Sequence, residues 1–427
     1  MGSSLLTKDT ERFHLSNELH ARPFPKLSAP CRAIYLALRP TGAAERDHNR
    51  DRKLLIDLLD RYGCPHPAPD AQHFAGDLGR GSLKWESHTE FVSYTIFMPG
   101  VADKPFGGDS LSLFPEEWLS QIDGMVVSAT LVRVEEAESL EAAEADFVDR
   151  LANYFAPESL SAGIVVEDEA LAATDFRLHE DGLARIAVYA VKGVGPRRLG
   201  RIVQRLLEIE SYKSFAMLTL PVARRIAKRV TELDKALGEI KDSNADPREM
   251  LRSLTDLAAE VERLSTESAF RFGAAGAYEA IVNDRITALR ARRLRGRQLY
   301  SEFMLRRFDP AMRTCRSAER RLKELSDRVA RASALLSTQV NVAVEAQNQS
   351  LLESMNRRAA LQLRLQETVE GLSVVAISYY AVSLGAYFLA PLSKITGIDK
   401  VWITAGLTPA VLLIVWAFLR RLRRHSE

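Results

Sequence analysis

Three groups of side chains in this sequence have types and spacings from which chemistry can be argued. Gly193-Val194-Gly195-Pro196-Arg197-Arg198 lies between a predicted strand and a predicted helix. A proline at the first helical position, free backbone N–H groups and two adjacent arginines are the ingredients of a phosphate site. Gly193, Gly195, Arg197 and Arg198 are therefore candidates for holding an anion. The stretch is not a P-loop, because no Gly-Lys-Ser/Thr follows, and a glycine-rich turn with solvent-facing arginines is the alternative. Cys64, His66 and His73 carry metal-donor atoms, but their spacing matches no zinc signature, and neither a metal nor a cofactor is expected. His88 and Glu90 stand at i, i+2 on a predicted hairpin, the spacing of an acid–base pair or of an ordinary surface pair. No GxSxG, HExxH or Ser/Lys dyad occurs, so the reading is of a protein that is not an enzyme.

The elements that must position these groups follow from periodicity and breakers. Residues 1–30 read as an irregular segment, with Pro23, Pro25 and Pro30. A strand is predicted over 33–38 and an amphipathic helix over 45–63, with Leu54, Leu55, Leu58 and Leu59 on one side. Residues 64–79 have loop chemistry. Strands at 83–86 and 91–97 form a hairpin, and a third at 125–134 leads into an acidic helix over 135–155. Further extended pieces are predicted at 163–166, 175–179 and 183–191, the last two joined by the turn Glu180-Asp181-Gly182. Residues 31–195 thus read as an α+β domain, and 196–370 as a helical stalk with coiled-coil character. The stalk helices are predicted at 198–220, 221–241 and 247–308, with a break at Asp309-Pro310 and a last helix from Ala311 onward.

The C-terminal end sets the context for everything before it. Residues 371–390 and 401–419 are two runs without a charged residue, joined by the short link PLSKITGIDK. About 20 apolar residues cross a hydrocarbon core of about 30 Å, so a two-helix transmembrane hairpin over 371–419 is expected, with 420–427 as a basic tail. Arg357, Arg358 and Arg364 precede the hairpin and Arg420, Arg421, Arg423 and Arg424 follow it, against Lys394 and Lys400 in the link. That asymmetry places both flanks, and with them the large N-terminal domain, in the cytoplasm. Gly371, Ser378 and Gly385 recur every seven residues, and Ala381 with Gly385 makes a small-xxx-small pair, so this stripe serves either close helix packing or a pore lining. Neither run carries an ionisable side chain of the kind a proton relay needs.

The chain of 427 residues has a formal net charge of +2, but the charge is segregated. Residues 103–181 hold 19 acidic and 4 basic side chains, and residues 285–331 hold 15 basic and 5 acidic. Solvated helix faces, contacts between neighbouring subunits, or contact of 285–331 with anionic lipid headgroups would each use such a split. Nucleic acid is not expected, because the basic stretch is poor in aromatic side chains for base stacking. Three cysteines, far apart and odd in number, suit a reducing compartment. Between Ser337 and Glu370, amides such as Asn341, Asn348, Asn356 and Gln362 interleave with Val344, Leu351, Met355 and Leu365. Such a helix either packs on a neighbour or lines a water-filled vestibule.

Four motifs carry a resemblance. Asn17-Glu18-Leu19-His20-Ala21-Arg22-Pro23, the run Lys84 to Phe91 (KWESHTEF), the run Gly200 to Glu210 (GRIVQRLLEIE) and the run Arg306 to Cys315 (RRFDPAMRTC) resemble signatures of a bacterial family of membrane-anchored proteins of unknown function. The resemblance implies an anchor in the bacterial inner membrane and supplies no activity. The topology is also similar to that of CorA-type magnesium channels, which are pentamers with a cytosolic α/β domain and a long helix entering the first of two C-terminal spans. The Gly-Met-Asn signature of those channels is absent, and Phe388-Leu389-Ala390-Pro391 stands at the end of the first run. From this the expected role is a self-associating membrane-anchored scaffold or regulator, with an oligomeric ion channel lacking that motif as the alternative.

Overall fold

The computed structural model describes residues 24–40, 46–69, 71–107, 112–294, 296–396 and 399–423. The motif at 17–23 lies outside them. The chain divides into two compact units, one of Met1–Asn244 with Arg252–Ala332, the other of Ala245–Leu251 with Ser333–Glu427.

The first unit is built on a nine-stranded mixed sheet. Its strands are β1 (Cys31–Arg39), β2 (His73–Asp77), β3 (Ser82–Ser87), β4 (Val92–Pro99), β5 (Met125–Ala137), β6 (Ser161–Val165), β7 (Ala170–Thr174), β8 (Ala184–Val191) and β9 (Arg292–Arg293). They lie in the order β2-β3-β4-β1-β5-β8-β7-β6-β9. The central pair β5/β8 is parallel and the other neighbours are antiparallel. β1 reads as a near-continuous apolar run because both of its faces are covered. On one face, Ile34, Leu36 and Leu38 pack with Trp85, Tyr94 and Ile96. They meet Leu55, Leu58 and Leu59 of α1 (His48–Arg61) and Trp118 of the short α2 (Glu116–Leu119). Asp47 starts α1 by accepting from Asn49 N at 2.9 Å and Arg50 N at 3.3 Å, an N-cap that satisfies orphan donors of the first turn. A second cluster joins Ala143 of α3 (Leu140–Asp146), Phe147, Leu151 and Phe155 to Ile164, Leu171 and Tyr189.

The helices α4 (Pro196–Met217) and α5 (Thr219–Asp242), assigned from the sequence to a stalk, belong with the sheet in the first unit, as does most of α6 (Pro247–Leu289). α4 packs on β5 and β8 through a face that includes Leu199, Ile202, Val203 and Leu206.

Four expectations need correction. The stretch read as loop at 64–79 contains β2, whose short edge pairing with β3 has no strong local signal. The acidic helix expected over 135–155 starts later, at Leu140, and is regular α-helix only in α3. β5 runs on to Ala137 because it continues to pair with β8, and Phe147–Leu151 and Ala152–Tyr154 close as wide and tight turns. Residues 175–179 are not a strand. β7 lies earlier, and Val166, Glu167 and Asp168 form a left-handed turn into it, with φ of 52°, 58° and 69°. The helix expected to reach 308 ends at Leu289, where Arg290 turns the chain at φ 46°. β9 then pairs with the otherwise open edge of β6, and Ala162 N donates to Gln298 O at 2.9 Å. The chain re-enters helix at α7 (Tyr300–Phe303), which runs on through a π-helical turn, Met304–Phe308, into the 88-residue α8 (Asp309–Thr396), so Asp309-Pro310 does not break the helix. Pro310 follows directly on the π-helical turn Met304–Phe308, where the hydrogen-bond ladder is already out of α register.

In the second unit, α8 continues to Thr396 and is followed by α9 (Lys400–Arg423). Two helices are long and apolar enough to cross a membrane, through windows of which 6% and 0% is buried within the chain. Leu372, Val375, Leu384, Tyr387, Phe388, Trp402, Leu413 and Trp416 are all exposed.

Candidate functional site

The most unusual chemistry lies on the sheet face under α4. Side chains alternate across a strand, so Lys84 and Glu86 of β3 share one face while Leu83 and Trp85 enter the apolar core. The strand register then lays out two rows on that face. Lys84 pairs with Thr95, Thr95 with Tyr35 and Tyr35 with Thr130, while Glu86 pairs with Ser93, Ser93 with Ala37 and Ala37 with Ser128. All of these polar side chains are buried. Buried polar groups cost free energy unless they are matched; α4 matches Lys84 through Gln204, while Ser128 Oγ and Thr130 Oγ1 have no hydrogen-bond partner among the described residues.

Lys84 Nζ lies 3.0 Å from Glu86 Oε2 and donates to Gln204 Oε1 at 3.0 Å. Gln204 Nε2 donates in turn to Glu208 Oε1 at 2.9 Å, one helical turn on, and Glu208 is paired with Arg285 of α6. Lys84 and Glu86 are each only 7% exposed. The network borders a cavity of about 200 Å³, which His88, Phe91 and Tyr212 also line. His88 is stacked on Phe91 at 4.1 Å between ring centroids, with Tyr212 edge-on at 6.3 Å. Burial pushes the Tyr35 phenol, beside Ser211 and Ser93, far above its ordinary range, so it stays a neutral donor. The cleft is thus a half-enclosed polar chamber with balanced charge and an aromatic wall. It suits the recognition of a small polar molecule or the locking of α4 and α6 onto the sheet.

The cleft is where two of the sequence motifs meet, since KWESHTEF supplies its sheet side and GRIVQRLLEIE its helix side. Sequence reasoning missed Tyr35, Gln204, Glu208 and Arg285 as members. The available signal was two charges at i, i+2 in a strand otherwise apolar, facing amide and carboxylate at i, i+4 on a helix.

The residues singled out from sequence fall elsewhere or separate. His88 and Glu90 do not pair with each other. His88 joins the aromatic wall, with Ser93 Oγ 3.5 Å from Nε2, and Glu90 pairs with Arg271 of α6. The spacing was right for one face of a strand, but β3 ends at Ser87, so the turn sends Glu90 to the helix. Cys64, His66 and His73 do not converge. Cys64 Sγ donates to Asp77 O at 2.9 Å, His66 Nε2 meets Asp60 at 2.6 Å, and His73 is in β2. Among the described residues no group of three or more His, Cys, Asp and Glu side chains is placed to hold a metal. The three described cysteines are free thiols.

Gly193 takes a left-handed turn at φ 94°, Gly195 caps α4 and Arg197 is exposed. Arg198 pairs with Glu169 and borders a second cavity, of about 270 Å³, together with Arg201, Arg205 and Arg290. The segregated charge of the sequence is partly resolved here within one chain, since Glu167 and Asp168 of the left-handed turn pair with Arg290 and Arg292. In the second unit, Gly385 lies against Leu407 of α9, and a Cβ added to it would meet Leu407 Cδ2 at 2.7 Å. Ser378 is buried and Ala381 half-buried, while a Cβ added at Gly371 would meet nothing within 4 Å. The stripe is therefore in part a contact between the two apolar helices.

An α/β domain on a mixed sheet, a very long helix and two apolar helices able to cross a membrane define the class of protein. The chain belongs to the family described as Protein of unknown function (DUF3422), whose family model matches residues 7–426. No curated protein matches it. Among solved structures, the full-length CmaX protein is similar at 15% identity over 69% of this chain and 89% of that one, with a TM-score of 0.17, a value that carries no argument about fold or function.

Proposed function

We propose that this protein is a self-associating scaffold or regulator anchored in the bacterial inner membrane by its last two helices, with the α/β domain and the C-terminus in the cytoplasm. The observation that carries this reading is the apolar surface left uncovered from Leu335 to Phe418. Leu351, Leu352, Met355, Leu365 and Val369 are exposed before the first apolar run, and Leu372, Phe388, Trp402 and Trp416 within the two runs. Exposed apolar side chains in such number need another apolar phase, and uncharged runs of about 20 residues match a bilayer. The stretch before the runs mixes amides with apolar residues and suits a second copy of the same helix better than lipid. The arginines at 357, 358, 364, 420, 421 and 423 support the cytoplasmic orientation.

The role is non-catalytic. Both carboxylates of the polar cleft are committed to cations, Glu86 to Lys84 and Glu208 to Arg285, an arrangement suited to holding rather than to proton transfer. Contact of the basic stretch 285–331 with anionic headgroups belongs to the same reading.

Carbonate extraction, protease protection in inverted vesicles and the mass of the detergent-solubilised protein test it together. The protein is expected to stay in the membrane pellet, to lose its large domain to protease only from the cytoplasmic side, and to run as an oligomer. Release by carbonate, the opposite protection pattern or a monomeric mass would each remove the corresponding part. The channel alternative draws on the amides Asn341 and Asn348 along one face of α8. Ion flux through reconstituted liposomes that is lost in Gly385→Leu would favour it over the scaffold.

A further inference from the structure

We infer that the cavity framed by Arg198, Arg201, Arg205 and Arg290 is a binding site for a phosphate group, and that Glu167 and Glu169 occupy its arginines in the absence of ligand. Arg198, Arg201 and Arg205 follow at three- and four-residue spacing along the first turns of α4, so they share one face of the helix. Arg290 approaches from the end of α6, which makes the site a cleft between two elements rather than a patch on one. The cavity holds about 270 Å³, room for a phosphate or diphosphate with its water.

The charge in it is not balanced. Glu169 pairs with Arg198 and Glu167 with Arg290, but Arg201 has no acidic partner among the described residues, and Arg205 donates only to Ala288 O, at 3.0 Å. Burial, together with the neighbouring Arg201, Arg285 and Arg290, lowers the pKa of the Arg205 guanidinium. Burial is the largest cause; the three arginines add to it and Glu208 opposes them, and an anion entering the cavity would relieve the repulsion among the arginines. Guanidinium groups also present paired N–H donors that match phosphate oxygens two at a time.

The two glutamates are held in place at a cost. They come from the β6–β7 turn, in which Val166, Glu167 and Asp168 are all left-handed, a conformation that β-branched and other non-glycine residues rarely adopt. Glu169 keeps its second carboxylate oxygen, Oε2, buried and without a hydrogen bond. A phosphate entering the cavity would take over Arg198 and Arg290 and free this turn, so binding is coupled to the conformation of the hairpin tip. The phosphate could belong to a soluble metabolite or to a phospholipid headgroup.

The test uses the full-length protein in neutral detergent and phosphate-free buffer, titrated with inorganic pyrophosphate in one arm and with a short-chain phosphatidylglycerol in the other. Saturable binding is expected in at least one arm, and the arm that binds more tightly names the source. Arg201→Gln and Arg205→Gln are each expected to weaken it about tenfold, the value of one charge-assisted contact. Glu169→Gln is expected to tighten it, because it releases Arg198, and a gain of affinity cannot come from misfolding. No saturable binding in either arm overturns the inference, as does an unchanged affinity in both arginine variants. Unchanged or weaker binding by Glu169→Gln overturns the competition between glutamate and ligand.

Discussion

Glu90, on the turn between β3 and β4, and Arg271, well inside α6, form an ion pair across 181 positions of sequence, with side chains only 9% and 14% exposed. The pair ties the KWESHTEF turn to a helix that packs far along the chain, and the Tyr278 ring stands beside it. Glu90 Oε1 and Arg271 Nη1 have no hydrogen-bond partner among the described residues, so removing either residue leaves a buried charge without its counter-ion, Glu90 keeping only the neighbouring Tyr278 hydroxyl. Arg271→Ala is expected to destabilise the first unit by about 3 kcal/mol, the usual cost of breaking a buried pair from one side. That corresponds to a fall of about 6 °C in Tm for a unit of this size. Intrinsic fluorescence of the buried Trp85 and Trp118 reports the melt. The Glu90→Ala/Arg271→Ala double variant should melt above Arg271→Ala; a single variant that melts like the wild type would show that the pair clamps nothing.

The sheet and the apolar helices were largely legible in the sequence, and the reasons for the failures are local. β1, β3, β4, β5 and β8 announce themselves because buried strands are rich in β-branched and aromatic residues between clear breakers. β2 and β9 do not. Each is an edge strand specified by its neighbour's unpaired backbone rather than by its own side chains, and β9 is just Arg292 and Arg293. The same arginines continue a helical pattern on paper, which is why α6 was expected to run on to 308. The polar cleft was half legible. The motif residues Lys84 to Phe91 and Gly200 to Glu210 stood out, but their meeting depends on the register Lys84–Thr95–Tyr35 and on α4 crossing it, neither of which is a local property.

Gly200 shows how tight that crossing is. A Cβ there would lie 1.7 Å from the backbone oxygen of Pro25 and 2.8 Å from its carbonyl carbon, so the segment entering β1 runs directly against α4. Leu27 N donates to Pro196 O at 3.1 Å in the same contact. In an ordinary helix Gly→Ala is stabilising by up to about 1 kcal/mol, but here the clash is with backbone and cannot be relieved by a rotamer. Gly200→Ala is expected to destabilise the protein by about 2 kcal/mol and to raise protease sensitivity near Pro25. A variant more stable than the wild type would mean that the segment does not pack there.

Alkaline pH should unfold the first unit earlier than its acid–base composition alone suggests. Burial pushes the Cys31 thiol up to about 12 and raises the phenols of Tyr35, Tyr94 and Tyr300 well above their ordinary values. For each group the unfolded chain loses its proton first. The stabilisation is therefore fully present below the unfolded pKa, about 9 for the thiol and 10 for the phenols, and is lost progressively as pH rises toward the folded values. Thermal melts are expected to be flat from pH 7 to about 9 and to fall steeply above that. Cys31→Ala should remove part of the slope between about pH 9 and 12. A melting temperature independent of pH up to 11 would contradict the burial of these groups. At about pH 7, where the first unit is folded, maleimide should modify the partly exposed Cys64 well before the buried Cys31 or Cys315.

The stretch of α8 from Ser337 to Val369 can be asked directly whether it meets a second copy of itself. Val344, Leu351 and Leu365 fall at multiples of seven residues, with Met355 and Val369 four residues after Leu351 and Leu365, which is the spacing of a coiled-coil seam. Leu351, Met355, Leu365 and Val369 are all exposed within one chain, and Glu353 and Arg357 form their own i, i+4 pair on the other side of the helix. If two or more copies associate along the seam, cysteines introduced there come within the Cα separation of about 4.4–6.8 Å that a disulfide needs, whereas cysteines at the polar positions do not. In membranes treated with a mild oxidant, Met355→Cys is therefore expected to give a cross-linked dimer and Arg357→Cys none, in a background where Cys31, Cys64 and Cys315 are replaced. Leu351→Lys with Leu365→Lys should abolish the cross-link at 355 and lower the detergent-solubilised mass. Equal cross-linking at 355 and 357 would mean random collision rather than a seam, and no cross-linking at either would leave the exposed apolar residues of this helix to a different partner.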